Sequence, residues 1–386
     1  MIASFLQYKT KAGKKMWMYQ AAIGVNPATG KSIRTTKRGF ATKHEAEAAL
    51  RRNLLNVDNH GYSENRNLKY QDIYEYFIKA YKNTVKESTL NRVLGLFKHH
   101  ILPALGKYRI KDISTPMCQN IVNQWASELV DFRKIKNYAG LVFKEAKRLK
   151  IIYDNPMELV TLPKPVKKVG SEKFENFWDK NELKLFLECL DKEYEESNYK
   201  AVALFRLLAF TGMRKGEALA LTWADFDFIH KTLAINKTVT RAVDNKMIVG
   251  TPKTPKSIRT LDLDSKTTAI IQRWQKRQRK ELLILGFNAD NLNQLVFSSN
   301  HNGLLTTSKP NKWLDHIIKK YNLKHIGVHG LRHTAASLFF ESGATIKQVQ
   351  EQLGHADVQT TLNIYTHVTK YTKKQTINKL SKYLGF

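Results

Sequence analysis

The chain has 386 residues, with 64 Lys and Arg against 34 Asp and Glu, a formal net charge of +30. That length points to two or three domains, and a hydrophobic fraction of 42% excludes a disordered chain. The charge excess is larger than solubility requires and points to a polyanionic partner, most simply nucleic acid. Cys118 and Cys189 are far apart and match no metal or redox spacing, which fits a reducing compartment. The N-terminus lacks a signal-peptide core and no stretch is apolar enough to span a bilayer, so the expectation is a cytoplasmic protein with no membrane partner.

In chain order, the first segment, residues 1–62, reads as a small α+β module. The stretch "KKMWMYQAAIGVNPATGKSIRTTKRGFAT" gives an apolar run, a turn at Asn26-Pro27 to Gly30, and a basic Thr-rich run. This predicts a hairpin carrying Lys31, Arg34, Lys37 and Arg38 as candidate DNA contacts. Thr42 stands three residues before Glu45, a capping box opening an amphipathic helix.

Residues 66–162 are helical in pattern. "YQDIYEYFIKAYKN", "ESTLNRVLGLFKHHILPAL", "TPMCQNIVNQWASEL" and "RKIKNYAGLVFKEAKRLKII" carry apolar residues at steps of three and four, punctuated by Pro103, Gly106 and Pro116. They predict a four-helix domain. Residues 163–173, rich in proline and lysine, read as a linker. Residues 174–386 form the larger remainder, mostly helical with a strand-rich interruption at "KTLAINKTVTRAVDNKMIVGTPKTPKSIRTLDLD".

Four stretches of this last segment carry candidate chemistry. In "LLAFTGMRKGEALAL", Arg214 and Glu217 are three apart on one helix face. They read either as a surface ion pair or, given the apolar flanks, as a partly buried arginine needing an anionic partner. In "TPKTPKSIRTLDL", Lys253 lies in or beside a turn between two strands, with Lys256 as a rival. In "VHGLRHTAASLFFESG", His329 and Arg332 open a helix; His333, four beyond His329, has a zinc spacing, but Gly330 occupies the place where a zinc-protease motif needs Glu. In "LGHADVQTTLNIYTHV", Gly354 ends a helix capped by Thr345 and Gln348, His355 sits in the turn, and Asp357 opens a helix bearing Tyr365.

Together these residues suit one reaction. Two arginines can fork onto a phosphate, two histidines and a lysine can move protons, and a tyrosine can attack phosphorus. Clustered positive charge would favour the phenolate, whose ordinary pKa is about 10, with no metal or other cofactor required.

"TGMRKGEAL", "TPKT", "HGLRHT" and "LGHADVQTTLNIYTHV", in that order, closely resemble the catalytic boxes of the tyrosine recombinases, specifically phage and integrative-element integrases. The resemblance is strong over about the last 210 residues. It implies a multidomain, mainly α fold with small β-sheets: an arm-site-binding module, a helical core-site-binding domain and a mostly helical catalytic domain. It implies Arg214 and Arg332 as phosphate clamps, Lys253 as acid for the departing 5′-oxygen, His329 in proton transfer, His355 on a phosphate oxygen, Glu217 in support and Tyr365 as nucleophile. Tyr371 is a rival to Tyr365. The implied partners are double-stranded DNA attachment sites within the nucleoid, a homo-tetramer assembled on DNA through a tail with apolar Ile377, Leu380, Tyr383 and Leu384, and room for a directionality factor and a host DNA-bending protein. A non-catalytic DNA-binding regulator and a type IB topoisomerase-like enzyme are the alternatives, with a zinc hydrolase behind them. The complete residue set argues against the regulator, and the separate N-terminal module argues against the topoisomerase.

Overall fold

The computed structural model describes residues 3–10, 13–25, 30, 32–60, 67–164, 176–243, 246–252, 254–359 and 361–362. The chain divides into two compact units, Met1–Lys168 and Val169–Phe386. Lys31, Lys253, Tyr365, Tyr371, the tail and most of the expected linker lie outside the described residues.

In the first unit, β1 (Ala3–Lys9), β2 (Lys15–Val25) and β3 (Ser32–Phe40) form an antiparallel sheet in the order β1-β2-β3. The expected hairpin is therefore β2 and β3, with an additional strand before it. Period-two alternation puts Tyr19, Ala21 and Ile23 of β2 on the inner face. There Tyr19 and Ala21 pack with Ala46 and Leu50 of α1 (Lys43–His60). Trp17 pairs with Phe40 but Met18 with Arg38, so Gly39 is the extra residue of a bulge, at a φ of 97° that favours glycine. At the head of α1, Thr42 Oγ1 accepts from the Glu45 N–H at 3.1 Å, and Glu45 Oε2 accepts from the Ala41 N–H at 2.8 Å.

The helical part of this unit comprises α2 (Tyr70–Tyr81), α3 (Glu87–Leu96), α4 (Leu102–Leu105), α5 (Thr115–Glu128) and α6 (Phe132–Arg148). Helix α6 buries Phe132, Ile135, Ala139, Val142, Phe143 and Ala146, the three-and-four stripe that the sequence displays. Tyr70 is fully buried and donates its hydroxyl to the Ala139 carbonyl at 3.0 Å. One expectation is corrected. Pro103 does not separate helices: α3 runs through a π turn, Phe97–Ile101, straight into α4 with Pro103 in its first turn. A π turn shifts the hydrogen-bond ladder by one residue where proline supplies no N–H.

In the second unit, α8 (Tyr199–Thr211) is buried on almost every side, from Ala201 through Ala209. Helices α7 (Lys180–Tyr194), α10 (Ser265–Ile284) and α12 (Gly330–Glu341) pack around it. The strand-rich interruption folds as two small antiparallel sheets. One has the order β4 (Phe226–Asp227), β5 (Thr232–Ile235), β8 (Arg259–Asp262); the other pairs β6 (Thr238–Arg241) with β7 (Met247–Gly250). The short helices α9 (Lys215–Ala220) and α13 (Ile346–Leu353), with α11 (Lys309–Lys320), complete the unit. Among the described residues no helix is long and apolar enough to cross a membrane.

Candidate active site

Helix α8 ends at Gly212, whose φ of 65° is the left-handed conformation that stops a helix. Helix α13 ends the same way at Gly354, φ 66°. These two stops lie side by side: a Cβ built on Gly212 would come within 2.5 Å of Leu353 Cδ2. Each leaves carbonyls without helical partners, and guanidinium groups take them. Arg332 donates from Nη1 to the Gly212 carbonyl at 2.9 Å and from Nη2 to the Leu353 carbonyl at 2.7 Å. Arg214 reaches the next carbonyl, that of Gly354, from Nη2 at 3.5 Å. Both candidate arginines therefore converge on the turn that carries His355.

Glu217 is 2% exposed, so of the two readings of the Arg214–Glu217 pair the buried one describes its geometry. Its Oε1 accepts from Arg214 Nη1 at 2.8 Å and its Oε2 from the Arg214 N–H at 3.0 Å. The same Oε2 accepts from Nη2 of Arg259 at 3.0 Å. The arginines hold the Glu217 carboxyl below its ordinary value against the desolvation that would raise it.

Arg332 is 3% exposed, and burial, then Arg214, push its guanidinium down to about 9. It remains charged at neutral pH, with Glu217 opposing the effect of burial and of the neighbouring arginines. His329 stands at the N-cap position of α12 without a side-chain cap, and Gly330 behind it is pressed against Asn176, whose Oδ1 would lie 2.7 Å from a Cβ there. Desolvation, then His333, Arg332 and Arg214, push His329 down to about 4. His329 is nevertheless exposed, and water screens the charges around its ring. His355 is 8% exposed; burial, then Arg332 and Arg214, push it down to about 4, and its Nδ1 lies 2.8 Å from Thr361 Oγ1. His329 and His333 stand edge to face, centroids 5.0 Å apart, and among the described residues no group of three His, Cys, Asp or Glu is arranged to hold a metal.

Lys253 falls in the segment between β7 and β8, outside the described residues, as does Tyr365. Lys256 reaches from that segment toward the Ala356 carbonyl at 3.5 Å. Asp357 Oδ1 accepts from the Gln359 N–H at 3.0 Å.

Three comparisons bear on this arrangement. The model of the phage integrase family matches residues 176–371, that of the phage integrase N-terminal SAM-like domain residues 69–126, and that of an arm DNA-binding domain residues 5–57. The chain belongs to the phage integrase family. It is a tyrosine recombinase, an enzyme of DNA strand cleavage and rejoining. It is 28% identical to a tyrosine recombinase XerC-like protein of Caldanaerobacter subterraneus subsp. tengcongensis, over 96% of this chain and 97% of the relative. It is 26% identical to the ICEBs1 integrase of Bacillus subtilis, over 95% and 97%. The fold matches the Tn1549 transposon integrase solved with a circular intermediate DNA, at a TM-score of 0.65, 19% identity and coverage of 81% of this chain and 99% of that one. It also matches a lambda integrase dimer bound to a core site, at 0.55, 16%, 93% and 93%.

Other placements divide. In the integrase's N-terminal sheet, Arg34 and Arg38 pair with Ala22 and Met18, on the face away from α1, and the Arg38 guanidinium lies 5.9 Å from the Tyr8 ring centroid. Lys37 pairs with Tyr19 and belongs to the opposite register, so these candidates do not share one face. Sequence reasoning missed Arg259. Its signal is phase: in "SIRTLDL" it alternates with the buried Leu261 and Leu263, an arginine where a core residue is due. It also missed Thr361, a threonine six residues beyond its partner His355.

Proposed function

We propose that this recombinase integrates and excises a phage or other mobile element through a 3′-phosphotyrosine intermediate on Tyr365. The observation that carries the reading is the pair Arg214 and Arg332, held on the consecutive carbonyls of Leu353 and Gly354 beside His355. Arg214 is half-exposed and Arg332 is buried beside it, which suits a clamp on one phosphodiester. Tyr365 Oη attacks phosphorus and the bond to the 5′-oxygen breaks. Lys253 protonates that oxygen, and His329, neutral at working pH, takes part in the tyrosine's proton transfer. Nδ1 of His355 meets the Thr361 hydroxyl, and in the tautomer protonated on Nε2 His355 donates that proton to a phosphate oxygen. A 5′-hydroxyl from a partner duplex then attacks the phosphotyrosine, displaces Tyr365 and joins the exchanged strands. The ester conserves the energy of the broken bond, so no ATP enters.

Residues 1–62 serve as the arm-site module, with Lys31, Arg34, Lys37 and Arg38 as its DNA contacts. Residues 66–162 bind the core site, 163–173 link, and 174–386 carry the chemistry and the tail. Double-stranded DNA attachment sites are the substrate. The working form is a homo-tetramer on DNA, a reading supported by a lambda integrase tetramer solved on a Holliday junction, at a TM-score of 0.54. A directionality factor and a host DNA-bending protein are its accessory partners.

The test uses a nicked substrate that traps the covalent complex. Tyr365→Phe should bind the site and give no trapped complex, and trapping by wild-type protein should persist in EDTA. Trapping that survives the Phe substitution removes Tyr365 as nucleophile.

A further inference from the structure

We propose that Arg259 is a positioning residue of the recombination site, one guanidinium that locks together the three segments bearing the reacting groups. The proposal rests on the reading of Arg214 as a phosphate clamp and adds what keeps that clamp free to act.

Arg259 starts β8, and its side chain is 7% exposed. Its three nitrogens go to three different places. Nε donates to the Gln352 carbonyl at 2.8 Å, in the last turn of α13 just before the His355 turn. Nη1 donates to the Ser257 carbonyl at 3.0 Å, in the segment after β7 that includes Lys253. Nη2 donates to Glu217 Oε2 at 3.0 Å, and through that carboxylate it meets Arg214. The packing is close on the same side: a Cβ on Gly354 would lie 3.1 Å from Arg259 Nη1 and 3.1 Å from the Lys256 carbonyl. A planar fork with fixed donor directions can serve three acceptors at once, and a lysine ammonium on a flexible stem cannot hold the same three segments in register.

The charge arrangement gives this contact a consequence beyond folding. Glu217 is buried and shared between Arg214 and Arg259. With Arg259 in place, its carboxylate is already satisfied on Oε2, and Arg214 keeps attraction to spare for a phosphate. Without Arg259, the whole carboxylate charge falls on Arg214 in a desolvated setting, where it competes with the scissile phosphate. The loss is felt most as charge grows on the phosphoryl oxygens in the transition state. Arg259 thus acts on the reaction through Glu217 without touching the DNA.

The experiment measures single-turnover cleavage of a nicked site, DNA affinity and thermal melting for Arg259→Lys, Arg259→Gln, Glu217→Gln and the Arg259→Gln/Glu217→Gln double variant, with Tyr365→Phe alongside. Arg259→Lys should cleave about tenfold or more slower at saturating DNA, with affinity within about twofold of wild type. Adding Glu217→Gln to Arg259→Gln should restore part of the lost rate, because it removes the carboxylate left unneutralised. A purely structural role gives no such recovery. Wild-type cleavage by Arg259→Lys, or a double variant no faster than Arg259→Gln, overturns the proposal. If Tyr365→Phe still traps DNA, the underlying reading fails instead; if it is inert and the Arg259 variants are normal, only this inference fails.

Discussion

At the residue scale the site concentrates positive charge around buried or half-buried groups, and each shift has a visible cause. For His355 the same cause reaches stability. Its ordinary pKa of 6.5 falls to about 4 in the fold because burial, then Arg332 and Arg214, disfavour the imidazolium. Below pH 6.5 the unfolded chain takes up a proton that the folded chain refuses until about pH 4. Its contribution is therefore fully present above pH 6.5, declines as pH falls through that window and is lost below about pH 4. The upper bound is about 3–4 kcal/mol, from about 1.4 kcal/mol per pH unit between 6.5 and about 4. Chemical denaturation of the full chain should show stability falling between pH 6.5 and 4, with a shallower fall for His355→Asn. An identical pH slope in the variant contradicts the assignment. That Arg214, Glu217, Arg332 and His355 belong to one place was legible from residue types in order along the chain. Arg259 was not, because its three partners lie 2, 42 and 93 residues away, and only the fold brings them to one guanidinium.

At the element scale, local devices were readable and long-range ones were not. Thr345 and Gln348 cap α13 reciprocally, and Gly354 ends it in the left-handed region, because caps depend on three or four neighbouring residues. Pro103 misled, because proline marks a helix end by default and here a π turn absorbs it. Strand β4 has two residues and no period of its own; its pairing with β5 makes it visible. The contact between the two helix stops is equally non-local, and it bears on function: Gly212 and Leu353 supply both carbonyls that hold Arg332. Gly212→Ala adds a Cβ 2.5 Å from Leu353 Cδ2 and 3.2 Å from Ala335 Cβ, at a φ of 65°. It should cost about 1–3 kcal/mol and slow cleavage as Arg332 shifts. Thermal melting and single-turnover cleavage check this together; a variant with unchanged melting and cleavage would show that the two stops are not tightly packed.

At the scale of the whole molecule, the chain joins an N-terminal sheet with basic residues on both faces, a helical bundle with its own core and a catalytic unit built around one buried helix. Composition announced the polyanionic partner, and helical periodicity announced the bundle. The division of labour predicts that deleting residues 1–62 spares cleavage at an isolated core site and impairs integration between attachment sites. A two-plasmid integration assay beside the nicked-site assay separates the two, and normal integration by the truncated protein would remove the arm-site role. The central claim, a DNA strand passed through a tyrosyl ester, is met most directly by digesting the trapped complex and identifying the peptide that carries nucleotide. The expected result is a 3′-phosphate ester on Tyr365 with a free 5′-hydroxyl on the released strand. Nucleotide on Tyr371 or another residue, or a 5′-phosphate linkage, would contradict it.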